Sequence, residues 1–138
     1  RFIGNVPTKT IQGYKQLVKS GKLVVITKSM KDVMCLYSLG IPAIAPNSET
    51  QFVSDKVLEE LKQRFKYIVL LYDNDLTGVR FTNKIRKQHP ELIVSMIPRN
   101  TGAKDISDYY RDYGRKATQE LIKLTIDKFK RNGILRSN

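Results

Sequence analysis

Short apolar runs alternate along the chain with longer segments in which apolar residues recur at helical spacing. The run Tyr67–Tyr72 has six apolar residues without a break, which is typical of a strand buried on both faces. Strands that alternate with helices predict crossover units, and hence an α/β fold with a largely parallel sheet of about four strands. The predicted strands are Leu23–Thr27, Ala43–Ala45, Tyr67–Tyr72 and Leu92–Ile97.

The segments around these strands have the periodicity and the end signals of helices. Val53–Phe65 carries its apolar residues on one face, and Met30–Leu39 is followed by Gly40, a residue type that commonly ends a helix. We expect helices on both faces of the sheet and two more after it, separated by Gly114. The predicted helices are Ile11–Lys19, Met30–Leu39, Val53–Phe65, Gly78–Gln88, Ile106–Tyr113 and Arg115–Lys130.

The length and composition predict one domain. A chain of 138 residues with 41% apolar residues can bury a single core. We divide it into a lead-in segment with a helix at 1–22, a central domain at 23–114, and a basic C-terminal helix and tail at 115–138. Because the sequence starts at Arg1 and trails off in basic and polar residues, we expect a fragment of a larger protein.

The charge of the chain favours a polyanionic partner. Lys and Arg number 25 against 13 Asp and Glu, which gives a formal net charge of +12. Nucleic acid is a better fit than membrane, because no apolar run approaches the roughly 20 residues that a membrane span needs. The basic residues of 115–138 either contact a nucleic-acid template or form a solvated helix face.

The single cysteine and the single histidine predict neither a disulfide nor a zinc site. Cys35 lies among apolar residues in a helical pattern and is interpreted as core filler in a reducing compartment, so we expect a cytoplasmic protein. His89 has no second His or Cys at ligand spacing.

Acidic side chains follow every predicted strand. Because the carboxyl ends of parallel strands meet at one edge of a sheet, we expect these carboxylates to lie along one rim. Like charges gathered in this way repel each other unless cations are present, and carboxylate oxygens suit Mg²⁺ or Mn²⁺. The acids are Asp32, Glu49, Asp73, Asp75, Asp105 and Asp108.

Capping is the alternative explanation for two of these motifs. Asp73-Asn74-Asp75 is also a common turn sequence before a helix. Asp105-x-x-Asp108 at the start of a helix also satisfies backbone N–H groups and complements the helix dipole. Asp73 and Asp75 are the more specific signal, because they follow the most apolar strand and precede Gly78, which allows a tight turn.

Together these motifs resemble the Toprim domain of bacterial and phage DNA primases, over about 23–114. The matching motifs are Lys28-Ser29-x-x-Asp32, Asp73-x-Asp75-x-x-Gly78 and Lys104-Asp105-x-x-Asp108-Tyr109.

The resemblance implies a Toprim (Rossmann-like) fold and metal-dependent synthesis of RNA primers on single-stranded DNA during replication. It implies that Asp73, Asp75, Asp105 and Asp108 hold Mg²⁺ or Mn²⁺. Single-stranded DNA, nucleoside triphosphates and a replicative helicase are the partners it implies.

Lys28 is a departure from the family pattern, because it stands where the family carries a glutamate, and Ser29 replaces the following glycine. One interpretation keeps the activity: Lys28, Asp32 and Glu49 are the catalytic residues, with Glu49 returning a carboxylate and Lys28 contacting a phosphate as a point charge. In the other, the domain has lost part of its chemistry and mainly binds nucleic acid.

Two further possibilities stay open from the sequence. Lys28 can instead form an ordinary ion pair with Asp32 or Glu49. A Toprim nuclease or topoisomerase would use the same acids to cut rather than join nucleic acid. Lys31 and Lys104 are the nearest further candidates for phosphate contacts, with a solvated surface lysine as the alternative for each.

Overall fold

Four parallel strands form one sheet, in the order β2-β1-β3-β4, in a computed structural model that describes residues 11–46 and 52–137, with side chains through residue 131. The elements in chain order are β1 (Gly21–Thr27), α1 (Met30–Ser38), β2 (Ala43–Ile44), α2 (Asp55–Arg64), β3 (Phe65–Leu71), α3 (Leu76–Gln88), β4 (Ile93–Val94), a single 3-10 turn (Arg99–Thr101) and α4 (Ile106–Ser137).

The sheet is buried on both faces. One face packs against α2 and α3 through residues such as Leu58 and Ile85, and the other packs against α1 and α4 through Leu36 and Ile122. This is a three-layer α/β arrangement, and the prediction of a parallel sheet of about four strands flanked by helices is confirmed. Among the described residues, no helix is long and apolar enough to cross a membrane.

The register of β1 and β3 sets the position of the site. The two strands pair in parallel from Gly21 opposite Phe65 to Thr27 opposite Leu71. Because both strands end at the same level, the loops that follow them leave the sheet side by side. The hydroxyl of Thr27 donates a hydrogen bond of 2.7 Å to the carbonyl oxygen of Leu71 and joins the two ends.

The prediction of a helix at Ile11–Lys19 was wrong. This segment forms turns, and Gln12 pairs with Ala45 in an isolated antiparallel bridge. Ile11 and Leu17 are buried against the sheet, so their spacing imitates an amphipathic helix while the backbone bonds to the end of β2. Gly13, with φ of +85°, allows the close approach, since a Cβ there would lie 2.8 Å from the carbonyl oxygen of Ala43.

The last strand is shorter than the sequence predicts. The predicted strand Leu92–Ile97 is regular only at Ile93–Val94. Ser95 still donates a backbone hydrogen bond to Leu70, after which the chain turns toward the sheet edge. The break at Gly114 is as expected: its φ of 89° and ψ of 179° interrupt the helical backbone within α4.

The start of α3 gives the first prediction. A methyl group at Gly78 would overlap the carbonyl oxygen of Asp73, whereas the neighbouring Thr77 is exposed. We expect Gly78→Ala to lower the free energy of unfolding by about 1–3 kcal/mol, the usual cost of forcing an extra methyl group into a packed site. Urea denaturation measures it.

Thr77→Ala is the matched control and is expected to change that free energy by no more than about 0.5 kcal/mol. Equal stability of the two variants would contradict the close contact between α3 and the end of β3.

Candidate metal centre

Three carboxylates from distant parts of the sequence meet at the carboxyl edge of the sheet. Asp32 comes from the first turn of α1, Asp73 follows β3, and Asp105 precedes α4. One oxygen from each lies within 4.8 Å of the others. Oxygens that share a Mg²⁺ ion at 2.0–2.1 Å are separated by at most about 4 Å. The three acids therefore need only a small contraction to bind the same cation.

Asp32 is held in place from two sides. Ser29 caps α1 by accepting a hydrogen bond from the backbone N–H of Asp32, and Ser107 of α4 donates a hydrogen bond of 2.6 Å to Asp32 Oδ1. Burial raises the pKa of Asp32; the Ser107 hydrogen bond opposes this shift, and the charges of Asp105 and Asp73 add to it. The position of this carboxylate is fixed, but its negative charge needs compensation.

Two lysines compensate the charges of the other two acids. Lys28 Nζ lies 2.9 Å from Asp73 Oδ2, and Lys31 Nζ lies 3.3 Å from Asp105 Oδ2. The charge of Asp105 raises the pKa of Lys31. Lys28 is the more buried of the two lysines, with 28% of its side chain exposed against 64%. A cation that binds these acids would compete with both ammonium groups.

Asp75 lies beside the three-acid cluster and has another role at the start of α3. It accepts a hydrogen bond of 2.8 Å from the backbone N–H of Gly78. That bond lowers its pKa, and Lys104, whose Nζ lies 3.3 Å from Asp75 Oδ2, lowers it further. The same Nζ lies 3.9 Å from Asp73 Oδ2, so Lys104 links the two acids that follow β3.

Asp108 and Asp105 both contribute to the start of α4. Asp105 Oδ1 accepts a hydrogen bond of 2.8 Å from the backbone N–H of Asp108, while its Oδ2 faces the cluster. Asp108 accepts a hydrogen bond from the backbone N–H of Lys104 and pairs with Arg111 at 3.3 Å. Capping and metal binding are therefore compatible at Asp105, and Asp108 stabilises the loop that carries it.

Asn74 was not among the residues selected from the sequence, yet it connects this loop to the sheet. Its side-chain amide donates hydrogen bonds to the carbonyl oxygens of Ile97, at 3.0 Å, and Ala103, at 2.8 Å. Its backbone N–H donates to Lys104. The sequence signal that could have identified Asn74 is an amide residue between two acids at the end of a strand. Ser107 was also missed, because a serine in a helix gives no comparable signal.

Glu49 lies outside the described residues. Its predicted position beside Lys28 therefore stays a prediction. The remaining predicted site residues all lie at the carboxyl end of the sheet: Lys28, Lys31, Asp32, Asp73, Asp75, Lys104, Asp105 and Asp108.

The fold and the acidic site agree with the family comparison. The sequence profile of the family described as Toprim-like matches residues 25–110, which include all three acids of the cluster. The chain belongs to the Toprim-like family.

One curated relative of the chain is a DNA primase. The chain is 25% identical over 123 residues to the DNA primase of Enterococcus faecalis (strain ATCC 700802 / V583), and this match covers 83% of the chain and 19% of that protein. The chain thus spans about a fifth of the length of this curated relative.

Two solved primase structures have the same fold. The RNA polymerase domain of Mycobacterium tuberculosis primase matches with a TM-score of 0.59 and 18% identity, over 73% of this chain and 35% of that one. The primase fragment of the bacteriophage T7 primase-helicase protein matches with a TM-score of 0.56 and 19% identity, over 82% of this chain and 47% of that one.

The acid cluster gives a prediction about metal affinity. We expect Asp73→Asn to weaken Mn²⁺ or Mg²⁺ binding by at least about tenfold, because it removes a charged oxygen ligand from the centre of the cluster. Isothermal titration calorimetry measures the affinity, and circular dichroism checks that the fold is retained.

Asp55→Asn is the control for loss of one negative charge, since the Asp55 side chain is 93% exposed and lies at the start of α2. Its metal affinity is expected to equal that of the unmodified chain. Identical affinities in all three proteins would exclude Asp73 as a ligand.

Proposed function

We propose that this chain is the Toprim catalytic domain of a DNA primase, which synthesises RNA primers on single-stranded DNA in the cytoplasm during DNA replication. The observation that carries the proposal is the convergence of Asp32, Asp73 and Asp105 at the carboxyl edge of the sheet in a Toprim-like chain. Nucleotidyl transfer requires a site that holds hard cations against phosphates, and a group of carboxylates provides it.

The donor set fits Mg²⁺ or Mn²⁺, because every candidate ligand is a carboxylate oxygen and the group contains no sulfur or imidazole. In this proposal Asp73 and Asp105 are ligands, Asp32 completes the cluster, and Asp75 and Asp108 act at its edge. A bound divalent cation would neutralise phosphate charge and activate the attacking 3′-hydroxyl.

The lysines of the site suit phosphate binding. Lys31 and Lys104 have side chains that are 64% and 55% exposed, so they can turn from their carboxylate partners toward a triphosphate. Each would act as a flexible point charge. Lys28, which is deeper, would contact the phosphate nearest the acids, and Glu49 would supply the carboxylate that Lys28 replaces in the family pattern.

The solved neighbours support the proposed partners. One structure contains primase domains of the T7 protein bound to an RNA/DNA hybrid and dTTP, and it matches this chain with a TM-score of 0.54 and 16% identity, over 77% of this chain and 54% of that one. Single-stranded DNA and nucleoside triphosphates are the proposed substrates. A replicative helicase is the proposed protein partner, since the T7 neighbour is a primase-helicase protein.

Primer synthesis tests the proposal directly. We expect the full-length gene product to form dinucleotides and longer primers on single-stranded DNA with Mg²⁺ or Mn²⁺. Asp73→Asn should lower the rate by at least about a hundredfold, the usual effect of removing a group that stabilises transition-state charge. Asp55→Asn should leave it unchanged.

A nuclease would give a different result in the same assay. Labelled DNA would be shortened in a metal-dependent manner, and no primer would form. Either that outcome or full synthesis by Asp73→Asn would refute the proposed function.

A catalytically impaired nucleic-acid-binding module is the second candidate, and the contact of Lys28 with Asp73 favours it. An ammonium group 2.9 Å from Asp73 Oδ2 already compensates the charge that a cation would otherwise compensate. If this pairing had replaced metal binding, the wild-type protein would bind nucleic acid without making primers.

Lys28→Gln separates the two functions. We expect it to raise Mn²⁺ affinity, because Asp73 loses a competing cation, and to lower primer synthesis, because a phosphate contact is lost. Lys22→Gln, at the exposed start of β1, is the control for loss of one positive charge. Calorimetry and the primer assay give the two readouts.

An inactive wild-type protein whose Lys28→Glu variant gains metal affinity would instead support the impaired module. Unchanged metal affinity and unchanged synthesis in Lys28→Gln would contradict both roles.

A further inference from the structure

Helix α3 has a basic face that has no role in the site described above. Arg80, Asn83, Lys84 and Lys87 are exposed and recur at spacings of three and four residues, which places them on one side of the helix. The sequence of α3 contains no acidic residue. These four residues are called the α3 face below.

The basic residues of the α3 face differ from the lysines of the metal centre in their partners. Lys31 and Lys104 each pair with a carboxylate of the site. No carboxylate of residues 11–46 or 52–131 lies within ion-pair distance of Arg80, Lys84 or Lys87. Their charges are therefore available to an anionic partner.

The helix that carries the α3 face begins beside the metal centre. Asp75, which follows β3 and contacts Lys104, is also the N-cap of α3. At a rise of 1.5 Å per residue, Lys87 lies about 18 Å along the helix axis from Asp75. A polyanion whose end reaches the acids can therefore continue along this helix.

The chemistry of the α3 face favours the backbone of a duplex. It offers cations and the amide of Asn83 but no aromatic side chain, whereas single-strand binding surfaces stack bases on aromatic rings. From Arg80 to Lys87 the helix axis advances about 10 Å, which corresponds to about three phosphates of one strand when their spacing of about 3.4 Å is measured along the duplex axis.

We propose that the α3 face binds the phosphate backbone of the double-stranded RNA–DNA product and guides it away from the metal centre. This proposal rests on the proposed primase function for the identity of the duplex. The interaction is independent of sequence, because phosphate contacts position a duplex without reading its bases. It also offsets the repulsion between the acid cluster and the product phosphates.

The test measures the affinity of the chain for a pre-annealed RNA–DNA hybrid in the presence of EDTA. Fluorescence anisotropy gives this affinity at a range of salt concentrations. The variant combines Arg80→Gln, Lys84→Gln and Lys87→Gln. We expect weaker binding and a slope of log affinity against log salt that is smaller by about 2.7, since each lost phosphate contact contributes about 0.9.

The matched control combines Lys19→Gln, Lys22→Gln and Lys66→Gln. These exposed lysines lie at or near the amino ends of β1 and β3, opposite the metal centre, and their loss changes the net charge equally. The slope of the control is expected to match that of the unmodified chain. Equal losses of hybrid affinity in the two triple variants would mean that only the net charge matters, and this result would overturn the proposal.

Two further measurements separate this proposal from alternative explanations of the same loss of binding. Single-stranded DNA of the same length should lose less affinity than the hybrid in the α3 variant, and an equal or larger loss would overturn the assignment to a duplex. Mn²⁺ affinity should be unchanged, and a reduced value would mean that the variant damages the metal centre.

Failure of primer synthesis does not decide this question, because the binding experiment contains no metal and no triphosphate. If the protein makes no primer but the α3 variant loses hybrid binding, the proposed binding surface would be supported and the proposed primase function would be refuted.

Discussion

Mutual repulsion among Asp32, Asp73 and Asp105 is the constraint on which the rest of this edge of the protein depends. Three carboxylates with oxygens within 4.8 Å of each other are unfavourable in a partly buried site. Lys28 and Lys31 reduce that cost in the absence of metal, and a divalent cation would replace them. The lysines therefore belong, together with the acids, to the charge balance of this candidate metal centre.

The supporting hydrogen bonds show how the fold keeps such groups together. Ser107, which belongs to α4, holds Asp32 in place. Asn74, at the end of β3, holds the loop that leads to Asp105. Since both donors, the Ser107 hydroxyl and the Asn74 amide, are uncharged, each can hold the geometry whether or not a cation is bound. The aligned ends of β1 and β3 provide the common base for these contacts.

Much of this arrangement could be predicted from the sequence. The unbroken apolar run of β3 and the alternation of strands with helices predicted the sheet, and the acids after the strands predicted one shared rim. The helix expected at Ile11–Lys19 was wrong because apolar spacing does not reveal that Gln12 forms a bridge with the end of β2. Short-range patterns carry no information about that partner. For the same reason, only the structure identifies Asn74 and Ser107 as supporting residues, because their hydrogen-bond acceptors are distant in the sequence.

The separation of the three acids along the chain has a consequence for folding. Asp32 and Asp73 are adjacent to β1 and β3, but Asp105 and Ser107 belong to the last loop and helix. During synthesis on the ribosome, β1 and β3 emerge well before the segment that completes the cluster. Contacts over such long separations also slow folding, because the intervening chain must be ordered first. The three acids therefore come together only when the last loop and helix pack onto the sheet.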